Sequence, residues 1–388
     1  MNTKSALQRD LDRFFRTVDD EDFSIRQVTK GAFSMARKKL NPWAFQRLNE
    51  IAVEEFYRGA NYYGWGGHRL LSVDGSTLVL PNHPSIKEEF GEHSFGPKAD
   101  SKRSLATCSM LYDVFNHVTL DASLASYTTS EQTLLMGHLD KTVEGDLLLL
   151  DRGYPSIWLF FLLKARKLEF CVRLKEEWWI PVRKFTDSDL LEQEVVFTLP
   201  KKDRNKLSDD PDIQDATVTC RLIKVILPDG NKEILCTSLL DTDKYPYAEF
   251  AELYHYRWNE EEAYKLLKCR AEVENFSGKT AISVKQDFFA KIFLMSLCAA
   301  YSFPVEEKVR EEYKADEKRK YDQQINHTNA LSMTQDILVG VFLKRQFRKA
   351  IRAFDDIVEK TREIVRPRRS VVRNKKPKKP YSMTYKRL

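Results

Sequence analysis

The sequence has little cysteine, and none of it is grouped. Its six cysteines, at 108, 171, 220, 236, 269 and 298, form no CxxC pair and have no local histidine partner, so neither a zinc site nor a disulfide framework is expected. They read as reduced, mostly buried thiols. Glycine and proline, 14 of each in 388 residues, are too sparse for a low-complexity chain. No run of about 18 uncharged apolar residues exists, and the start MNTKSALQRDLDRFF has no apolar signal segment. Secretion and membrane spanning are therefore not expected, and a cytoplasmic location is. None of the seven histidines (68, 83, 93, 117, 138, 255 and 327) sits in a G-x-S-x-G or comparable nucleophile motif, which leaves little support for a metal-free hydrolase.

What is present is ordinary globular material, 42% hydrophobic and 31% charged, and 388 residues are enough for two or three domains. The net charge of +6 is modest, but 63 Lys and Arg can form phosphate-binding patches where they are grouped. One group is the tail from Arg366 to Leu388, with ten basic residues, three prolines and no acid. It suits either a solubilising tail or a DNA-contacting arm. A second lies near the start. The first 65 or so residues read as helical, and QVTKGAFSMARKKLNPWAFQRL places Arg37, Lys38 and Lys39 before a break at Asn41-Pro42 where a new helix can begin. A small helical DNA-binding unit fits, and so does an amphipathic bundle with a solvated basic face.

From Arg69 the apolar period changes. RLLSVDGSTLVLP is a strand candidate, and SLATCSMLYDVFNHVTLDASLASY reads as two strands meeting near Asn116-His117. A helical stretch from Ser130 to Thr142 precedes DLLLLDRGYP, a short apolar run suited to a strand buried on both faces. PSIWLFFLLKARKL then supplies a helix opened by Pro155, and EFCVRLK another strand. Three strands, helix, strand, helix, strand is an α/β order that suits a mixed sheet covered by helices. After Lys175, WWIPVRKF, EVVFTLP, ATVTCRLIKVILP and EILCTSLL are joined by polar turns such as Asp229-Gly230, predicting an all-β insertion of roughly 65 residues. Helical periodicity resumes near Tyr245, runs through Lys268, and returns from Val284 to Tyr313 in a largely core helix.

The strongest local signal is AELYHYRWNEEEAYKLLK, in which Tyr254, Arg257, Glu261 and Lys268 are spaced Y-x2-R-x3-E-x6-K. At about 100° per residue these four share a face roughly 60° wide, bordered by Lys265, while Ala263, Tyr256, Leu267 and Leu253 form a core stripe opposite. Glu260 and Glu262 then point away from Glu261. Such a helix suits a metal-binding carboxylate beside DNA phosphates, and equally an i,i+4 ion pair between Arg257 and Glu261. Asp74 within LSVDGSTLVL and Asp151 at the end of LLLLDRGYP are further acids set in apolar strands, costly to bury without a cation or donors. Asp151 also fits a turn or helix cap.

With these residues in hand, the sequence resembles the DDE transposases of bacterial insertion sequences, specifically the IS-four family. The resemblance rests on Asp74 in VDGSTLVLP, Asp151 in LLLLDRGYP and the signature helix, and covers roughly Arg69 to Lys285. It implies a ribonuclease H-like mixed sheet in which Asp74, Asp151 and Glu261 bind two Mg2+ ions, with Mn2+ as a substitute. It implies DNA contacts from Tyr254, Arg257, Lys265 and Lys268, a homodimer synapsing two terminal inverted repeats, and joining to target DNA. Trp258, Trp178 and Trp179 are candidates to stack on a flipped base if cleavage passes through a hairpin, or are core residues. The expected layout is a helical N-terminal DNA-binding region at 1–66, a catalytic domain at 67–175 and 244–315, a β-rich insertion at 176–243, a helical region at 316–365 and a basic tail at 366–388. A ribonuclease H-like nuclease or a DNA-binding protein that no longer cuts are the alternatives.

Overall fold

The computed structural model describes residues 6–95, 101–206, 217–227 and 230–366; Asp229 of the expected turn and the basic tail beyond Arg366 lie outside them. The chain opens with α1 (Leu7–Asp19), α2 (Lys30–Arg37) and α3 (Trp43–Gly59). Next come β1 (Leu70–Val79), α4 (Pro84–Phe90), β2 (His93–Phe95), β3 (Ser101–Arg103), β4 (Leu105–Asp113), β5 (Thr119–Ser126) and α5 (Glu131–His138). β6 (Leu147–Leu150), α6 (Ile157–Ala165), β7 (Glu169–Leu174), α7 (Ile180–Asp187), β8 (Glu192–Thr198), β9 (Thr217–Ile226) and β10 (Lys232–Thr237) follow. The remainder is α8 (Phe250–His255), α9 (Trp258–Lys265), α10 (Ala281–Glu312), β11 (Gln323–Ile325), α11 (His327–Leu338), α12 (Phe347–Lys360) and β12 (Arg362–Ile364).

Two compact units emerge, one of Tyr57–Leu78 with Leu105–Tyr264, the other of Met1–Phe56, Val79–Ser104 and Lys265–Leu388. The first is built on an eight-stranded sheet in the order β5-β4-β1-β6-β7-β10-β9-β8. Its first five strands in chain order stand 3-2-1-4-5, with β4 and β5 antiparallel and β1, β6 and β7 parallel, so the fold is a ribonuclease H-like mixed sheet flanked by helices. The all-leucine β6 is buried throughout, as a central parallel strand must be. At the β4–β5 turn, Asp113 Oδ1 accepts the N–H groups of Phe115 and Asn116 (3.0 and 2.9 Å) and His117 takes a positive φ, which closes the two strands where the sequence predicts.

The expected all-β insertion differs in two respects. WWIPVRKF folds as α7, because Pro181 suits a first helical turn and Val182 and Phe185 bury one face at i,i+3 spacing. In addition, β10 pairs antiparallel with β7, Ile234 opposite Leu174, so β10, β9 and β8 extend the same sheet rather than forming a separate subdomain. The pairing removes an exposed edge at β7.

In the other unit, α11 and α12 pack on α10. By length and composition α10 could cross a membrane, but 72% of its most apolar window is buried inside the protein. Asn41 caps α3 by accepting the Trp43 N–H (3.0 Å), which is the break that Asn41-Pro42 predicts.

Candidate active site

Asp74 and Asp151 are brought together by strand register. β1 and β6 run parallel with Val73 opposite Leu150 as the last matched pair. The next residue on each is an aspartate, so Asp74, in the middle of β1, and Asp151, just past the end of β6, lie side by side with Cα atoms roughly 5 Å apart at ordinary strand spacing. Ligands of open α/β sheets gather outside the carboxyl ends of strands, as at the end of β6. Asp151 caps no helix, since the N-cap of α6 is Ser156. Its Oδ1 instead accepts from the Tyr254 hydroxyl at 3.4 Å.

The helix opposite does not run continuously through the signature. It breaks at Tyr256-Arg257, where the Arg257 and Glu260 N–H groups reach back only three residues, and it widens into a π-helical turn over Leu266–Arg270. Arg257 nevertheless faces the acids. Its Nη2 donates to Glu261 Oε1 at 3.1 Å and its Nη1 lies 3.9 Å from Asp74 Oδ2, so one guanidinium bridges the acid of β1 and that of α9. Burial raises the Asp74 carboxyl to about 6, with Gly75 N–H and Arg257 opposing and Glu131 and Glu261 adding to the rise.

Tyr254 and Arg257 are both buried, at 4% and 5% exposure. As folded they serve the acids, not a phosphate at the surface. Burial pushes the Tyr254 hydroxyl well above its ordinary range, keeping it a donor to Asp151.

Glu260 does not point away from the acids as the helical-wheel reading expects. It is fully buried, its Oε1 accepts the Asp74 N–H at 2.9 Å, and its Oε2 has no hydrogen-bond partner among the described residues. Burial first, then the Asp74 charge, pushes its carboxyl well above the usual range. One turn on, the Tyr264 hydroxyl donates to the Asp74 carbonyl at 2.8 Å. The buried face of α9 thus grips Asp74 by both backbone groups. The signal was available, because Glu260 falls between Leu253 and Leu267 on the predicted core stripe.

The remaining expected residues scatter. Trp258 is 45% exposed with the Arg257 guanidinium 5.7 Å from its ring centroid. Trp179 packs edge-on against Phe160 and Phe197, and Trp178 lies beside it under Lys175, so the core alternative describes Trp179. Lys265 is exposed and Lys268 half-buried in the π-helical turn. Lys38 and Lys39 are exposed, but Arg37 is locked inside its own unit by Gln286, Ser277 and Asp287 and is not available to DNA as folded.

A family model described as the transposase DDE domain matches residues 65–298, more than half of the chain. The chain belongs to this family. It is 27% identical over 249 residues to the transposase InsG for insertion sequence element IS4 of Escherichia coli (strain K12), covering 62% of this chain and 53% of that protein. It is 23% identical over 186 residues to the putative transposase InsZ of the same organism, covering 47% and 60%. The chain therefore spans about half to three fifths of the length of these curated relatives. A solved piggyBac transposase synaptic complex with hairpin DNA aligns over 86% of this chain and 66% of that one, at 11% identity and a TM-score of 0.45.

Family membership implies use of divalent metal ions. The residues fit that requirement, since Asp74, Asp151 and Glu261 offer only carboxylate oxygens, and a half-buried Asp74 raised among like charges is short of positive charge.

Proposed function

We propose that the chain is a DNA transposase that moves an insertion sequence by cut-and-paste: it binds terminal inverted repeats, cleaves strands with divalent ions and joins the freed ends to target DNA. The observation that supports this best is the adjacent register of Asp74 and Asp151 with Glu261 held across Arg257, in a chain of the transposase DDE-domain family. In this reading the three carboxylates hold two Mg2+ ions, for which Mn2+ substitutes. Bound there, the ions supply Lewis-acid charge for in-line displacement at phosphorus.

The chain's own groups prepare the site. Arg257 offsets the mutual repulsion of Asp74 and Glu261, Tyr254 fixes the orientation of Asp151, and Glu260 with Tyr264 ties α9 to the Asp74 backbone. Lys265 and Lys268 meet DNA phosphates, and Trp258 is offered to a flipped base if the cut ends close as hairpins. Two ends must be joined in concert, so the working form is a homodimer, acting on the nucleoid in the bacterial cytoplasm.

The test is incubation of the full chain with paired, labelled terminal-repeat DNA and Mg2+. Wild type is expected to give cleaved and joined products, and Glu261→Gln to bind the DNA and give neither. Cleavage without joining favours a nuclease; cleavage by the Glu261→Gln variant removes Glu261 from the site.

A further inference from the structure

We propose that Glu131, the first residue of α5, is a fourth carboxylate ligand of the divalent-cation site, beside Asp74, Asp151 and Glu261. The inference rests on the transposase reading of that site. α5 is positioned from both ends of its first turn: Ser130 Oγ accepts the Thr133 N–H at 3.1 Å, and Gln132 Nε2 donates to the Tyr154 carbonyl at 2.8 Å, tying the helix to the loop that follows Asp151.

The Glu131 carboxylate lies between two glycines, each just past a site acid. A Cβ added at Gly153 would stand 2.8 Å from Oε2, and one at Gly75 would stand 3.2 Å from Oε1. A Cβ at Gly153 would force the carboxylate to shift, and one at Gly75, in β1, would crowd it, so the two glycines leave room for Glu131 where it stands. The Asp151 charge acts on Glu131, and Glu131 in turn acts on Asp74, so all three acids share one field.

A second observation points to something bound among them. The Tyr154 hydroxyl is 1% exposed, has no hydrogen-bond partner among the described residues, and lies in the field of Glu131, Asp74, Glu260 and Asp151. A buried hydroxyl amid acids is costly unless a cation or its hydration shell satisfies it. The plainer role for Glu131, an acid complementing the α5 dipole, explains neither glycine and does not involve Tyr154.

Mn2+ binding to the full chain, followed by electron paramagnetic resonance without DNA, tests the assignment. Asp151→Asn and Glu131→Gln are each expected to weaken binding roughly tenfold or more. Gly153→Ala keeps every charge and displaces only the flexible end of Glu131, so it is expected to weaken binding about threefold, and it decides the matter should Glu131→Gln fail to fold. Glu131→Gln and Gly153→Ala both binding within twofold of wild type, with Asp151→Asn weakened, overturns the Glu131 assignment alone. Unchanged binding in Asp151→Asn as well overturns the cation site itself.

Discussion

Arg37 and Arg257 both lie largely out of solvent beside carboxylates, and their surroundings differ. Arg37 uses every guanidinium nitrogen: Nε donates to Gln286 (2.7 Å), Nη1 to Ser277, and Nη2 to the Ser283 carbonyl (3.2 Å) and Asp287 (3.1 Å). Asp287 also takes the Ser277 N–H and hydroxyl (2.6 and 2.8 Å). Arg257 is more deeply buried, yet its Nε has no partner among the described residues and its Nη1 stays 3.9 Å from Asp74. Nearby, the Tyr154 hydroxyl has no hydrogen-bond partner among the described residues either. A complete network holds a fold, whereas an incomplete one costs stability and persists where a ligand or reaction completes it.

The comparison breaks cleanly by removing each arginine. Arg37→Ala strands Asp287 and is expected to cost about 3–5 kcal/mol in denaturant unfolding, while cleavage per folded molecule stays within twofold. Arg257→Ala is expected to cut cleavage about 100-fold yet destabilise by only about 1–2 kcal/mol, because its carboxylate partners retain roughly a quarter of their exposure. If Arg37→Ala spared stability and abolished cleavage, the two roles would have to be exchanged.

How far each cluster was legible follows from the range of its contacts. Strand period is local, so the sequence marks Asp74 within β1 and Asp151 after β6 as acids set in apolar strands, but it is the family resemblance that implies that they share a site. Arg37 could not be separated from Lys38 and Lys39, because its partners are some 250 residues away. Glu260 is misread when it is judged only by its offset of about 100° from Glu261, because the same step sets it on the buried stripe between Leu253 and Leu267, where the structure places it. WWIPVRKF has the aromatic and branched residues of a strand, but Pro181 with Val182 and Phe185 settles it as a helix. The pairing of β10 with β7 is a long-range choice, and no local pattern specifies it.

A smaller effect concerns pH. Burial lifts Asp74 from 3.8 to about 6 in the folded chain. The folded state thus holds this proton more tightly than the unfolded state, a contribution present below pH about 4 and lost as pH rises through about 6. Above that, an ionised, half-buried carboxylate opposes folding. In chelator, Asp74→Asn is expected to be more stable than wild type by about 1–2 kcal/mol at pH 7.5, with the gap closing near pH 4. Urea unfolding across that range checks it; a gap independent of pH would mean that Asp74 is not the group responsible. Adding Mn2+ is expected to reverse the order, since only wild type keeps the ligand.

The smallest expected effect sharpens the comparison within a single segment. Lys38 and Lys39 follow Arg37 directly but are exposed, so neither has the buried partners that fix Arg37 in the fold. Replacing both by Ala is expected to leave unfolding within about 0.5 kcal/mol of wild type. If they face DNA, the salt dependence of terminal-repeat binding should flatten by a slope of about 2, one released counterion for each lost phosphate contact. Cleavage at saturating DNA should not change. An unaltered salt slope would mean that the basic run is a solvated face, and that the structural role of Arg37 is the main one in that stretch of chain.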